Sequence, residues 1–94
     1  MQVKWLRKAL NNLDEIAEFV AQENPTAAKQ LAARLFEATQ GLSHHPQMGR
    51  PGRVSGTREL ALADLPFIIP YRVRQRTVEI LRVFHTSRRL PERW

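Results

Sequence analysis

The sequence predicts an α+β domain: one opening strand, a helical hairpin, then an antiparallel sheet in the order β-α-α-β-β-β. Three observations predict it. Between residues 9 and 42 the apolar residues recur at three- and four-residue intervals, the period of a helix face. Beyond residue 56 they recur at every second position, the period of a strand. Between the two regimes lies a stretch dense in Gly and Pro. With 94 residues the chain is one domain, 1–94. A chain of that size buries about two-thirds of its surface, which argues against a large enzyme with a deep private pocket.

Gln2 to Trp5 reads as a short strand. Ala9, Leu13, Ile16 and Val20 then mark the first helix, with Leu10, Ala17 and Phe19 widening the stripe and Asp14, Glu15 and Glu18 mostly on the wet side. The helix ends near Glu23. Asn24-Pro25 is an N-cap followed by a first-turn proline, which starts the second helix. Ala28, Leu31, Ala32, Leu35, Ala38 and Leu42 share its inner face until Gly41 to Ser43. The tight joint makes the two helices an antiparallel hairpin.

Residues 44–56 are a loop holding Gly49, Gly52, Gly56, Pro46 and Pro51. Its glycine spacing is not that of a phosphate-binding loop. Three strands come next, at 58–63, 67–74 and 78–85, the last two joined by Gln75-Arg76-Thr77. Phe67, Ile69, Tyr71 and Val73 form one face of the middle strand, and Ile68, Pro70, Arg72 and Arg74 the other. Pro70 lacks an N–H and predicts a bulge or an edge. In the last strand Val78, Ile80 and Phe84 fall in phase with Arg82, against Leu81 and Val83. The helices should cover one sheet face and leave the arginine-bearing face partly open. Residues 86–94 read as a tail.

Charge sharpens the picture. The chain carries fifteen Lys and Arg against nine Asp and Glu, with a pI of about 11.1. Five cations and five anions balance in the first 43 residues. The remainder holds ten Arg, no Lys and four acids, so the whole excess of +6 lies there. Arginine is a planar fork suited to phosphate and carboxylate, so nucleic acid or an acidic protein segment is the expected partner. The absence of Cys excludes disulfides and thiolate metal sites, and three His are too few for a zinc site. No metal or cofactor is expected. No apolar run is long enough to span a bilayer and no secretory leader is recognisable, so a cytoplasmic protein without membrane contact is expected.

The order of these elements resembles the RelE/ParE superfamily of bacterial type II toxins, closer to the ParE branch. The stretches that carry the resemblance are His45-Pro46-Gln47-Met48-Gly49-Arg50, Arg53 through Leu60, Pro66 through Val73, Val78 through His85, and Arg88-Arg89-Leu90-Pro91. Such a resemblance implies a growth-inhibiting toxin neutralised by a small, acidic, partly disordered antitoxin, with operator DNA bound only through that antitoxin. The basic sheet face (Arg72, Arg74) and the helix stripe (Leu13, Leu35) are the expected antitoxin contacts.

The two branches imply different targets. RelE-like members cleave mRNA on the ribosome; ParE-like members poison DNA gyrase and are not known nucleases. A nuclease needs an acid, a base and cations on the phosphate. Arg58, Glu59, Arg82, His85 and Arg88 are the candidates, with Tyr71 assisting. In RelE-like nucleases the middle strand resembles Arg-Leu-Val-Tyr, and its Arg handles the phosphate. Here the matching residues are Ile68-Ile69-Pro70-Tyr71, and Ile68 cannot stabilise negative charge. The resemblance therefore favours a gyrase poison over an enzyme, with Arg50, Arg53, Arg82, Arg88, Arg89 and Arg93 as target contacts. A simple nucleic-acid-binding module is the third reading, although no helix is basic enough for recognition.

Overall fold

A computed structural model describes all 94 residues. Strand β1 (Gln2–Trp5) leads into helices α1 (Arg7–Ala21) and α2 (Pro25–Gln40), and a 3₁₀ turn, Gly41–Ser43, ends the hairpin. Strands β2 (Arg50–Pro51), β3 (Arg58–Ala61), β4 (Phe67–Arg74), β5 (Thr77–Ile80) and β6 (Phe84–His85) complete the chain. The sheet order is β1-β5-β4-β3-β2, with β6 paired to β4 beyond the end of β5.

The α+β architecture is as expected, but the sheet is mixed. β1 runs parallel to β5, with Val3 opposite Val78. A further strand, β2, lies inside the stretch read as loop and pairs antiparallel with β3.

Asn24 caps α2 as expected. Its Oδ1 accepts the Ala27 N–H at 3.0 Å, and Pro25 fills the first turn, where no N–H is needed. Asn24→Ala should cost about 1 kcal/mol. That is a fall of roughly 4–8 °C in melting temperature for a domain of this size, read by circular dichroism. An unchanged melting curve would mean that the cap contributes nothing.

The core lies between the hairpin and one sheet face. Ala9, Leu35 and Leu42 meet Ile69, Tyr71, Val78 and Ile80, all fully buried. Each large aliphatic side chain there contributes about 1.5–3 kcal/mol by leaving water.

The bulge that Pro70 predicts lies on the neighbouring strand. Pro70 takes the Leu81 N–H on its carbonyl at 2.9 Å. Along β4 the pairing moves from Tyr71↔Ile80 to Ile68↔Phe84, three residues on one strand against four on the other. The extra residue falls on the side where Pro70 has no donor to offer. It also reverses the phase of the residues beyond it. Phe84 therefore does not share the face of Val78 and Ile80; it sits on the opposite face with Ile68. The expected open basic face is thus covered at this end. Ile68 and Pro70 are buried, and the Trp94 ring packs on Phe84 at 5.6 Å. Arg72 and Arg74, near the β4–β5 turn, keep part of that face accessible, with Gln2 and Lys4 of β1 on the same side.

Candidate functional site

Two networks organise the second half of the chain, and they divide the candidate residues between them. The first holds the stretch from residue 44 to 57 against the sheet. Tyr71, fully buried, donates its hydroxyl hydrogen to the Pro46 carbonyl at 2.7 Å and accepts the Gly49 N–H at 2.9 Å. Arg58 donates to the Gly49 carbonyl at 2.8 Å. Glu59, only 2 % exposed, accepts the Arg53 N–H at 2.9 Å, the Arg53 Nε at 3.0 Å and the Arg50 Nη2 at 3.3 Å. Gly49 is required because a Cβ there would sit 2.7 Å from the Tyr71 ring.

These environments shift titrations. Burial opposes ionisation of Glu59, but the side-chain, backbone and charge interactions of Arg53, with Arg50 behind them, hold its carboxyl below 4.5. Burial raises the Tyr71 hydroxyl above 10.0, so it stays a donor. The Arg72 hydrogen bond lowers Glu79. A carboxyl depressed by folding contributes stability that is present above its unfolded pKa and lost as pH falls through the folded one. Stability should therefore hold from neutral pH to about 5 and decline below about 4.5. Glu59→Gln should flatten part of that decline in urea titrations. An identical acid slope in the variant would remove Glu59 from the account.

The second network lies at β6. Arg82 donates Nε to Asn12 Oδ1 at 2.8 Å and lies over the Phe84 ring at 4.7 Å. His85 Nδ1 accepts the Ser87 N–H at 3.0 Å and lies 2.6 Å from Ser87 Oγ, while its ring meets Phe67 edge-on. His85 and Arg88 line a groove of about 580 Å³ between α1 and β6, with Ile16, Phe19 and Val83 along its walls. Phe19 is 75 % exposed at its lip, although its phase had placed it on the buried stripe.

The nuclease candidates fall into two separate hydrogen-bond networks. Arg58, Glu59 and Tyr71 belong to the loop network; Arg82, His85 and Arg88 belong to the β6 network. One expected contact needs correction, and several others have partners within the fold. Leu35 is fully buried, so no partner reaches it without opening the core, and Leu13 packs against that core. Arg72 is engaged by Glu79 at 2.7 Å, with Arg74 at 3.7 Å. Arg53 is exposed but paired with Glu59, half-buried Arg82 is hydrogen-bonded to Asn12, and Arg50 is the outer member of the Glu59 cluster. Arg88, Arg89 and Arg93 are exposed, and none forms an ion pair. No three His, Asp or Glu side chains gather as metal ligands. No helix is long and apolar enough to cross a membrane. The groove was missed because the bulge that forms its β6 wall leaves only Pro70 as a signal in the sequence.

Residues 3–90 match the family described as the ParE toxin of the type II toxin-antitoxin system, parDE. The chain belongs to that family. This ParE-family toxin is 45 % identical over 91 residues to putative toxin Y4kP of Sinorhizobium fredii, covering 97 % of this chain and 94 % of that one. It is 36 % identical over 87 residues to toxin RelE2 of Caulobacter vibrioides, covering 93 % and 97 %. Its fold superposes with a TM-score of 0.81 on a chain of the chromosomal ParDE system from P. aeruginosa, at 34 % identity, covering 90 % and 95 %. The toxin is thus a type II toxin, and its family implies a cognate antitoxin.

Proposed function

We propose that this toxin arrests growth in the cytoplasm by poisoning DNA gyrase, and that its antitoxin occupies the groove between α1 and β6. The observation that carries this reading is the fate of the nuclease candidates. Glu59 and Tyr71 have their polar atoms committed to holding the chain, and Arg58 spends its Nη1 on the Gly49 carbonyl. Ile68, at the position where the RelE-like pattern has its phosphate-handling Arg, is buried against Phe84. Arg88, Arg89 and Arg93 are exposed, free of ion partners and close together in the chain (Arg76, at the β4–β5 turn, is unpaired but isolated), which suits binding more than bond cleavage. The groove combines apolar walls with Arg88, which suits an amphipathic segment bearing a carboxylate.

One observation favours the ribosome-dependent nuclease instead. His85 and Arg88 line the same groove, an acid–base group beside a phosphate-binding one, and the Caulobacter relative carries the name RelE2. Two assays on the purified toxin separate the readings. Inhibited supercoiling with accumulated gyrase–DNA cleavage complexes is the expected result. Cleavage of translated mRNA with gyrase untouched would overturn it.

A further inference from the structure

The segment after β6 is a strap fixed at two ends and free between them. Near β6 the Thr86 N–H donates to the Pro66 carbonyl at 2.8 Å and the Arg88 N–H to the His85 carbonyl at 3.1 Å. Residues 89–93 then make no hydrogen bond to the rest of the protein. The free stretch ends at Trp94, which is held four ways. Its Nε1–H donates to Thr57 Oγ1 at 3.2 Å. Its carbonyl accepts Arg82 Nη1 at 3.3 Å. Its ring packs on Phe84 at 5.6 Å, and the Arg53 guanidinium lies over it at 5.7 Å from the centroid. That last distance is within the range where a cation is attracted to an indole face.

The partners of Trp94 are themselves fixed. Glu59 holds Arg53, Asn12 holds Arg82, and Thr57 donates its hydroxyl hydrogen to the Val54 carbonyl at 2.6 Å. The anchor is therefore built from the core outward, and both networks of the second half meet at this one indole. What it restrains is the stretch that carries three unpaired arginines. A cationic side chain on a free tail loses orientational and chain freedom when it binds; on a strap closed at both ends much of that loss is already met by folding.

We infer that Trp94 is a positioning residue whose indole pins the strap and so presents Arg88, Arg89 and Arg93 to the toxin's target. This rests on the reading that those arginines make the target contacts. It also gives Arg53 and Arg82 a role, as the groups that hold the anchor rather than as contacts themselves.

The experiment combines growth inhibition with ¹⁵N relaxation on the whole toxin and its Trp94→Ala and Trp94→Phe variants. Phe keeps an aromatic face for stacking and for the cation, and loses the N–H donor together with some ring area. Backbone order parameters at residues 88–93 are expected near ~0.8 in the parent and below ~0.6 in Trp94→Ala. Trp94→Ala should need about tenfold more toxin for the same growth arrest, and Trp94→Phe no more than about threefold, because a pinned ligand retains the advantage of preorganisation. Amide shifts of β3 to β5 report that the sheet is intact. Should the alanine variant not fold, Trp94→Leu makes the same comparison.

Full toxicity in Trp94→Ala, or unchanged order in the strap, would overturn the inference. So would a Phe variant as weak as the Ala variant. Arg88→Ala/Arg89→Ala is the separating control. If that pair stays toxic, the target-contact reading fails, whereas the relaxation result still stands or falls on Trp94 alone.

Discussion

Alanine at both Arg88 and Arg89 is expected to abolish growth inhibition and leave the fold intact. Both side chains are exposed and neither has an ion partner, so their loss should change stability by no more than about 0.5 kcal/mol. At a macromolecular interface a central arginine commonly contributes ~2 kcal/mol or more. Two of them together correspond to roughly a thousandfold in affinity. The check is colony survival after induced expression, paired with titration of the purified variant into a gyrase supercoiling assay. Survival equal to an empty control, with an unchanged melting curve, is the expected result. Killing at parental levels would reject the strap as the contact surface. Arg53→Ala makes an instructive contrast, since it removes a partner of buried Glu59 and should lower stability as well as toxicity.

Tyr71→Phe is expected to produce the largest loss of stability from deleting a single atom. The hydroxyl serves the Pro46 carbonyl and the buried Gly49 N–H together. Without it, one donor and one acceptor lose their partner, at about 1–3 kcal/mol for each buried group. A total near 2–3 kcal/mol corresponds to roughly 10–20 °C in melting temperature for a domain this small. Gly49→Ala attacks the same joint from the other side, because its Cβ would meet the Tyr71 ring at 2.7 Å and the Glu59 carbonyl at 2.9 Å. The two substitutions act on one contact, so their effects should fall short of additive. Fully additive losses would show that the loop is held by something other than this hydroxyl.

Local signals in the sequence carried most of the fold. Asn24-Pro25 marks the start of α2, because a cap needs only its own neighbours. The alternation from Phe67 to Arg74 marks β4 to the residue, and Pro70 announces a bulge. The departures arise where distant residues decide. β2 is two residues long and exists because β3 offers it an edge. The parallel β1–β5 pair joins strands separated by the helical hairpin and three other strands. The bulge after Ile80 moves Phe84 to the other face, a change of phase that composition and period do not reveal.

The site was harder to read for a related reason. Ten arginines in one half of a chain look alike in sequence. Their fates differ through side-chain partners: Arg53 through Glu59, Arg58 through Gly49, Arg72 through Glu79 and Arg82 through Asn12. The unpaired cluster of Arg88, Arg89 and Arg93 stands out only after those pairings are known, with Arg76 unpaired but alone at the β4–β5 turn. Trp94 shows the same thing from the opposite direction. A residue that reads as part of a tail is the meeting point of four contacts.

The neighbours of β1 have a consequence for how the protein comes into being. Val3 and Trp5 are made well before Val78 and Ile80, yet they face them, and the Leu6 N–H donates to the Ile80 carbonyl. At about 5–20 residues per second, synthesis separates the two strands by on the order of ten seconds. Throughout that interval the helical hairpin, a local structure that forms quickly, has no finished sheet to cover its apolar side. Closure of the sheet and emergence of the arginine strap then come within a few residues of each other. A chain halted before β5 lacks the strand that joins β1 to β4, so an interrupted product is expected to lose its fold and not merely its potency.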